Sequence, residues 1–501
     1  MHKWKLLSLI LLFSILVSIG GRWSTLAGNS DTNPLKKGVA LAAPSVDMNT
    51  YLPIVSNNYP AVQTIFGVEL YNITEGRGLN EIAAAGATYI RHNYSNSGPV
   101  DGLIWTAVEP NKGDRNWGVL SEMENQLINA AERDMEVILI VRSTPLWARL
   151  DPNSPCGPIK PSEYAAFGQF MHDAVKRYSA PPYNVKYWEI YNEPDAPINT
   201  NEPPYGMIYG CWGIGGDTYF GGEAYGEMLK VVYPYIKSAN SSAQVLVGGL
   251  LLDCDPRTVC TTGPGSIPPK FLNGILLAGA GNSFDGVSFH AYDYYNAGMG
   301  KYHNPNWSTN WNTTGPVITA KADYISELMT NYGVTDKYLM NTESAILWSP
   351  DDDFGGVYPD VNDPKNTKSS YLVQSYVTAL SVQKKYNLRA NIWFSVFGWR
   401  NSGLLNPDLS PKLAYKAYSF AYKKLATSNF VEERTDYGSN VKEYVFQNEG
   451  KILWVVWSLN GANQTVTLPQ TPSAIWDMYG NPQTITGTSF TVTLLPHYIE
   501  Y

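Results

Sequence analysis

The sequence predicts an α/β protein: a (β/α)8 TIM barrel followed by a small C-terminal β-sandwich. Three observations predict it. From Thr64 to about Tyr422, eight short β-branched or aromatic runs alternate with helix-length segments, the count and order a parallel barrel needs. Two of those runs end in glutamate, a polar residue delivered where a barrel strand reaches the mouth. Beyond residue 425 the period shortens to alternating strands separated by Asn/Gly turns, the pattern of an antiparallel sandwich.

With 501 residues the chain can hold one large domain or two. Hydrophobic residues at 44% and charged residues at 16% suit a globular chain and not a disordered one. The formal net charge of −8, without a basic run, argues against nucleic acid as a partner. Fifteen Trp and 35 Tyr offer flat faces for stacking on sugar rings, although aromatics fill cores in every fold.

The elements follow in order. Met1-His2-Lys3-Trp4-Lys5, an apolar run from Leu6 to about Gly20, and small residues near Thr25-Leu26-Ala27 predict a secretory leader over 1–27. The apolar run is short for a spanning helix, so no membrane span is expected after its removal, and the product would be secreted or held at the cell surface. Residues 28–60 are polar and Pro/Ala/Asn-rich and read as a spacer. The barrel is expected over 61–425, with strands at 65–70, 89–92, 137–142, 185–191, 245–249, 286–290, 338–342 and 391–397. A helix capped at Pro161-Ser162 should bury Phe167, Phe170, Met171, Ala174 and Tyr178 on one face.

Long segments at 195–222 and 294–315, rich in Gly, Pro, Asn, Trp and Tyr, follow two strands and should wall the cleft. A helix ending near Ala421-Tyr422 closes the barrel, and the sandwich occupies 426–501 with strands at 444–446, 452–457, 466–468, 474–479 and 489–495. Four cysteines in an exported chain read as two disulfides; of the three pairings, Cys254–Cys260 and Cys156–Cys211 are expected. No CxxC or Cys/His ligand spacing is present, so a structural zinc site is not expected, and no organic cofactor or catalytic metal is implied.

The chemistry centres on Val185-Lys186-Tyr187-Trp188-Glu189-Ile190-Tyr191-Asn192-Glu193-Pro194, a strand signal stopped by proline. Lys337-Tyr338-Leu339-Met340-Asn341-Thr342-Glu343 repeats the arrangement. Two carboxylates brought from different strand ends to one cleft are what glycoside hydrolysis requires. Glu193 is the candidate general acid/base, needing a raised pKa, with a rim ion pair as the plain alternative. Glu343 is the candidate nucleophile and must stay ionised, with Arg91 and Tyr292 placed to hold it so. Arg91 has a second candidate partner in Glu189, which lies deeper. Strict alternation turns Asn192 and Glu193 to opposite faces, so both reach the cleft only if the strand bends. His290 is expected to shape the rim by hydrogen bonding. Trp393 and Trp399 are candidates for the floor of a sugar site, against simple core packing. Trp105, Trp117 and Trp147 are weaker candidates of the same kind.

These residues carry a resemblance. Trp188-Glu189-Ile190-Tyr191-Asn192-Glu193-Pro194 resembles the acid/base strand of glycoside hydrolase clan A, with Glu343 at the nucleophile position. Gly86-Ala87-Thr88-Tyr89-Ile90-Arg91 resembles the clan's second strand, Trp105-Thr106-Ala107-Val108-Glu109-Pro110 the segment after it, and Thr144-Pro145-Leu146-Trp147-Ala148 the end of the third strand. Gly403-Leu404-Leu405 and Pro411-Lys412-Leu413-Ala414-Tyr415 resemble the segment after the eighth. Within the clan the chain looks most like family 39, which includes β-xylosidases and α-L-iduronidases, with family 5 endo-β-glucanases and mannanases second. The resemblance implies a carbohydrate substrate, retaining hydrolysis by Glu193 and Glu343, and Asn192 on the sugar's 2-hydroxyl. Tyr191 stands where the family commonly has Trp. A transglycosylase or a non-catalytic sugar-binding barrel would carry the same strands.

Overall fold

The computed structural model describes residues 64–93, 100–198, 211–258, 270–299, 302, 304–348 and 364–501. The expected leader and spacer lie outside these residues. The strands are β1 (Phe66–Leu70), β2 (Tyr89–His92), β3 (Leu103–Ile104), β4 (Glu136–Arg142), β5 (Tyr187–Asn192), β6 (Gln244–Leu250), β7 (Gly286–Met299), β8 (Pro305–Ser308), β9 (Tyr338–Leu347) and β10 (Leu388–Trp393). Eight of them, all but β3 and β8, close into a parallel ring, because β2 pairs with both β1 and β4 while β1 pairs with β10. All eight stand where the sequence pattern put them. The last ends at Trp393, four residues early. The helices α1 (Leu79–Ala84), α2 (Trp105–Val108), α3 (Ser121–Ala131), α4 (Tyr164–Tyr178), α5 (Gly222–Ala239), α6 (Phe271–Leu277), α7 (Ile318–Asn331), α8 (Pro364–Tyr386) and α9 (Leu413–Leu425) lie between or after the strands.

Near-continuous Val/Ile/Leu runs make these strands buried on both faces, as a ring wrapped by helices requires. Inside the ring, Tyr89, Ile138, Tyr187, Leu246, Tyr338, Met340, Ala390 and Ile392 form a plug. That plug fixes which parity of each strand points inward, and the next inward layer toward the C-terminal ends carries the polar residues. α4 buries the expected face of Phe167, Phe170, Met171, Ala174 and Tyr178. Its start differs: Pro161–Glu163 form a 3₁₀ turn with proline leading, and no side chain caps α4.

Part of the expected 294–315 loop is sheet. β7 runs on to Met299 and β8 folds back on it, pairing Tyr294 with Ser308 and Tyr295 with Trp307, because this aromatic stretch has strand propensity of its own. Cys156 and Cys211 are bridged as expected, tying the loop after β4 to the loop after β5. Cys254 is also disulfide-bonded, and its expected partner Cys260 lies outside the described residues.

Beyond α9 come β11 (Asn429–Arg434), β12 (Val441–Asn448), β13 (Lys451–Ser458), β14 (Gln464–Thr467), β15 (Ala474–Asp477), β16 (Ser489–Val492) and β17 (His497–Glu500). Five form an antiparallel sheet in the order β11-β12-β13-β17-β15, and β14 pairs with β16. Val445, Trp454 and Ile499 of the first sheet pack with Val466 and Val492 of the second, which makes the core of a sandwich. β11 escaped the sequence reading because it is an exposed edge strand with charges at Glu432, Glu433 and Arg434. The sandwich shares the barrel's core: Phe420 of α9 stands edge-on to Tyr498 at 5.1 Å, and Lys424 lies 3.3 Å from the centre of the Trp476 ring. Among the described residues no helix is long and apolar enough to cross a membrane.

Candidate active site

Arg91 organises the site. It sits one inward position above Tyr89 on β2 and is fully buried. Its five N–H groups match five oxygen contacts. Nε and Nη2 donate to Glu189 Oε1 at 3.1 and 2.5 Å, Nη2 also to Asn192 Oδ1 at 2.5 Å, and Nη1 to Glu69 Oε2 at 2.7 Å and to Glu343 Oε1. The two partners weighed for Arg91, Glu189 and Glu343, are therefore both present.

The bend required after β5 is present. Tyr191 and Glu193 both adopt left-handed backbone conformations, with φ of 62° and 48°. Each such position costs about 1–3 kcal/mol unless its surroundings hold it. They do so here: Tyr191 OH meets Thr144 Oγ1 at 2.6 Å, and the Glu193 amide donates to the Gly249 carbonyl at 2.9 Å. Asp195 accepts from the amides of Leu251 and Leu252, locking this turn to the next loop. Asn192 and Glu193 consequently both face the cleft.

A bulge does the same for Glu343. Phe289 pairs with Asn341, but His290 pairs with Glu343, so Thr342 is the extra residue on β9. This sets His290 and Glu343 side by side. His290 Nδ1 lies 2.7 Å from Glu193 Oε1 and 3.5 Å from Glu343 Oε2, and the Tyr292 hydroxyl donates to Glu343 Oε2. Gly249 makes room for this ring, since a Cβ there would lie 2.2 Å from His290 Nε2.

Burial pushes Glu193 well above the ordinary carboxylate range, and the charges of Glu343 and Asp195 push it further. Burial also raises Glu343, but the Arg91 charge and the Tyr292 hydroxyl pull it back down through direct contact. Of the two, Glu343 is the one that ionises and Glu193 the one that keeps its proton. Burial, with the charges of Arg91 and Lys321, holds His290 far below its usual range, so it meets Glu193 as a neutral imidazole. Tyr292→Phe removes one donor from the Glu343 carboxylate. Hydrogen bonds to charged groups are worth about 1.5–3 kcal/mol, so kcat/KM should fall by roughly tenfold to a hundredfold and its acid limb should move to higher pH. Unchanged limbs in a pH-rate profile would deny Tyr292 this part.

The aromatic expectations divide. Ala390 and Ile392 point into the ring, so alternation turns Trp393 outward. It is fully buried, donates from Nε1 to the Ser402 carbonyl at 2.9 Å and packs against Tyr371 of α8. Trp393 is therefore core and not a sugar floor. Its neighbour Phe394 takes the inward position, edge-on to Tyr292 and Tyr71 with centroids 5.8 and 6.3 Å away. Trp399 is exposed in the following loop with Arg400 over its ring, free to meet a ligand. Trp105 and Trp117 join Phe167 and Phe170 in packing, and Trp147 donates to the Glu109 carbonyl.

The sequence reading missed Glu69, Asn93 and Phe394. Glu69 had the signal used for Glu343, a carboxylate near the end of an apolar strand, and was passed over. It lines a cavity of about 580 Å³ with Tyr71, Asp101 and Phe397, a volume in the usual range for ligand pockets. One ligand atom each from Glu193, His290 and Glu343 lies within 4.8 Å of the others. A cation placed there would face the Arg91 guanidinium already on Glu343, so the donor set fits proton transfer better than metal binding.

Fold and site together define a class: a (β/α)8 barrel with a carboxyl pair at its mouth and a C-terminal β-sandwich. Solved structures share this fold. A family 39 glycoside hydrolase from Bacteroides cellulosilyticus matches with a TM-score of 0.61 at 20% identity, over 87% of this chain and 81% of its own. A family 30 subfamily 8 xylanase from Clostridium acetobutylicum matches at 0.53 and 14%, over 87% and 96%. A monomeric β-xylosidase from Caulobacter crescentus matches at 0.50 and 12%, over 87% and 96%. No protein-family model matches the sequence, and no curated protein matches it.

Proposed function

We propose that this chain is a secreted, retaining O-glycoside hydrolase that cleaves β-linked plant or microbial polysaccharide or oligosaccharide. The observation that carries the reading is the spacing of the pair: carboxylate oxygens of Glu193 and Glu343 approach within 4.8 Å. Retaining pairs stand about 5–5.5 Å apart, whereas inverting pairs leave about 6.5–9.5 Å for a water. In the first step Glu193 gives its proton to the glycosidic oxygen while Glu343 attacks the anomeric carbon. In the second, the Glu193 carboxylate takes a proton from water as that water displaces Glu343. Neutral His290 bonds Glu193 without adding a charge that would strip its proton. Asn192, oriented by Arg91, is the residue for the 2-hydroxyl. Xylanase and β-xylosidase among the similar structures make β-xylosides the first substrates to try.

The test is a panel of aryl β-xyloside, β-glucoside and β-mannoside with polymeric xylan and glucan, following the first product's anomer by NMR. Retained configuration is expected. An inverted first product would overturn the mechanism, and turnover on glucan or mannoside alone would move the substrate to the endo-β-glucanase or mannanase class. Sugar affinity without any turnover would leave a non-catalytic binding barrel. Export rests on the predicted leader, and N-terminal sequencing of secreted protein should begin near residue 28.

A further inference from the structure

Three buried carboxylates, Glu69, Glu189 and Glu343, share the single positive charge of Arg91. Their holdings differ. Glu189 takes two N–H bonds from the cation, and Glu343 takes one together with the Tyr292 hydroxyl. Glu69 takes one from Arg91 Nη1 and, on its other oxygen, only the neutral amide of Asn93 at 2.9 Å. Glu69 and Glu343 are thus held alike, by one Arg91 N–H and one neutral donor each, and because one cation cannot compensate three buried anions, one carboxyl of the cluster carries a proton.

We propose that Glu69 is a positioning residue of the catalytic pair, a third carboxyl on the shared guanidinium whose negative charge, once formed, keeps the proton on Glu193 and so extends activity to alkaline pH. This rests on the glycosidase reading above.

Burial, the Glu343 charge and the opposing pull of Arg91 leave Glu69 at about 8. Below that pH Glu69 is neutral, and Arg91 serves Glu189 and Glu343. Above it Glu69 becomes an anion in the same buried cluster, and a like charge makes Glu193 harder to deprotonate. The groups facing Glu69 are Arg91 from β2, Glu343 from β9 and Tyr71 just after β1; Arg142 from β4 bonds its partner Asn93, and Glu189 from β5, Glu193 just after it and Tyr292 from β7 complete the charged cluster. Across the cavity stand Arg77, Asp101 and Glu122, two acids and one base. Glu69 and Glu343 share Arg91 Nη1, so a charge formed on Glu69 is felt directly beside the Glu343 carboxylate.

The experiment is the pH profile of kcat/KM for wild type, Glu69→Gln and Asn93→Leu, with an infrared titration of the protonated-carboxyl band beside it. Glu69→Gln should leave the acid limb in place and move the alkaline limb down by about one pH unit, a tenfold loss at the alkaline end. Asn93→Leu removes the amide that favours the Glu69 anion and should move the same limb the same way. The infrared band titrating near pH 8 in wild type should vanish in Glu69→Gln. A loss uniform across pH, or an alkaline limb that stays put, would reduce Glu69 to a packing residue. A band that persists would overturn the assignment even if no glycoside is turned over. Wild-type inactivity with the band lost on substitution would place the failure in the glycosidase reading instead.

Discussion

Glu343→Gln is expected to lower kcat/KM on an aryl glycoside by about 10⁴-fold or more, roughly 5 kcal/mol of transition-state stabilisation. The amide keeps the shape of the carboxylate and can still meet Arg91 and Tyr292, so the loss isolates the nucleophilic oxygen from the packing around it. KM should change far less than kcat, because in the proposed mechanism the residue acts on the anomeric carbon and not on the rest of the sugar. The expected counterpart is a wild-type protein that, given a slow 2-fluoro glycoside, gains one sugar mass on the peptide carrying Glu343, while Glu343→Gln gains none. Labelling elsewhere, or a variant that hydrolyses at the wild-type rate, would remove Glu343 from the mechanism.

Glu193→Ala should behave differently, since in the proposed mechanism Glu193 serves both halves of the reaction. On a substrate with a good leaving group the first step needs little acid assistance. The second step loses its base, so turnover should fall by about 10²–10⁴-fold with the covalent intermediate accumulating as a burst. Removing the side chain opens space beside Glu343, and azide, which needs no deprotonation, should restore turnover and give a glycosyl azide of retained configuration. Lost activity that azide fails to rescue would leave Glu193 as a binding or structural residue. On a poor leaving group azide should do little, because the missing proton there limits the first step.

The barrel was legible because parallel strands buried on both faces must be continuous apolar runs, and eight such runs can be counted without knowing any contact. Glu193 and Glu343 were legible because a carboxylate ending an apolar run has few reasons to be there. What alternation could not supply was facing. It correctly demanded a bend at Asn192–Glu193 but could not show that left-handed residues at 191 and 193 would provide it. At the eighth strand Ala390 and Ile392 point inward, so Phe394, not Trp393, takes the position toward the cleft. Glu69 carried the same local signal as Glu343, but its place on the guanidinium needed long-range information. Its neighbours Arg91 and Glu343 are remote in sequence, and only the closed ring brings them onto one nitrogen.

The crowding around Arg91 has a consequence for the folding equilibrium as well. Glu69 holds its proton to about pH 8, against an ordinary value of 4.5, and Glu193 and Glu343 are displaced in the same direction. Between those two pH values these carboxyls bind more protons in the folded chain than in the unfolded one, so their contribution to the free energy of unfolding falls as pH rises through that window, while buried His92 and His290, held below 6.5, act the other way in its acid part. The decline of the thermal midpoint should be clearest between about pH 6.5 and about pH 8, and Glu193→Gln, which never ionises, should flatten it while sharply lowering turnover. A calorimetric series over pH would read both. On these groups the protein is most robust on the acid side of that window, where the carboxyls of the cluster keep their protons, and weaker toward pH 8, where the cluster must carry more charge.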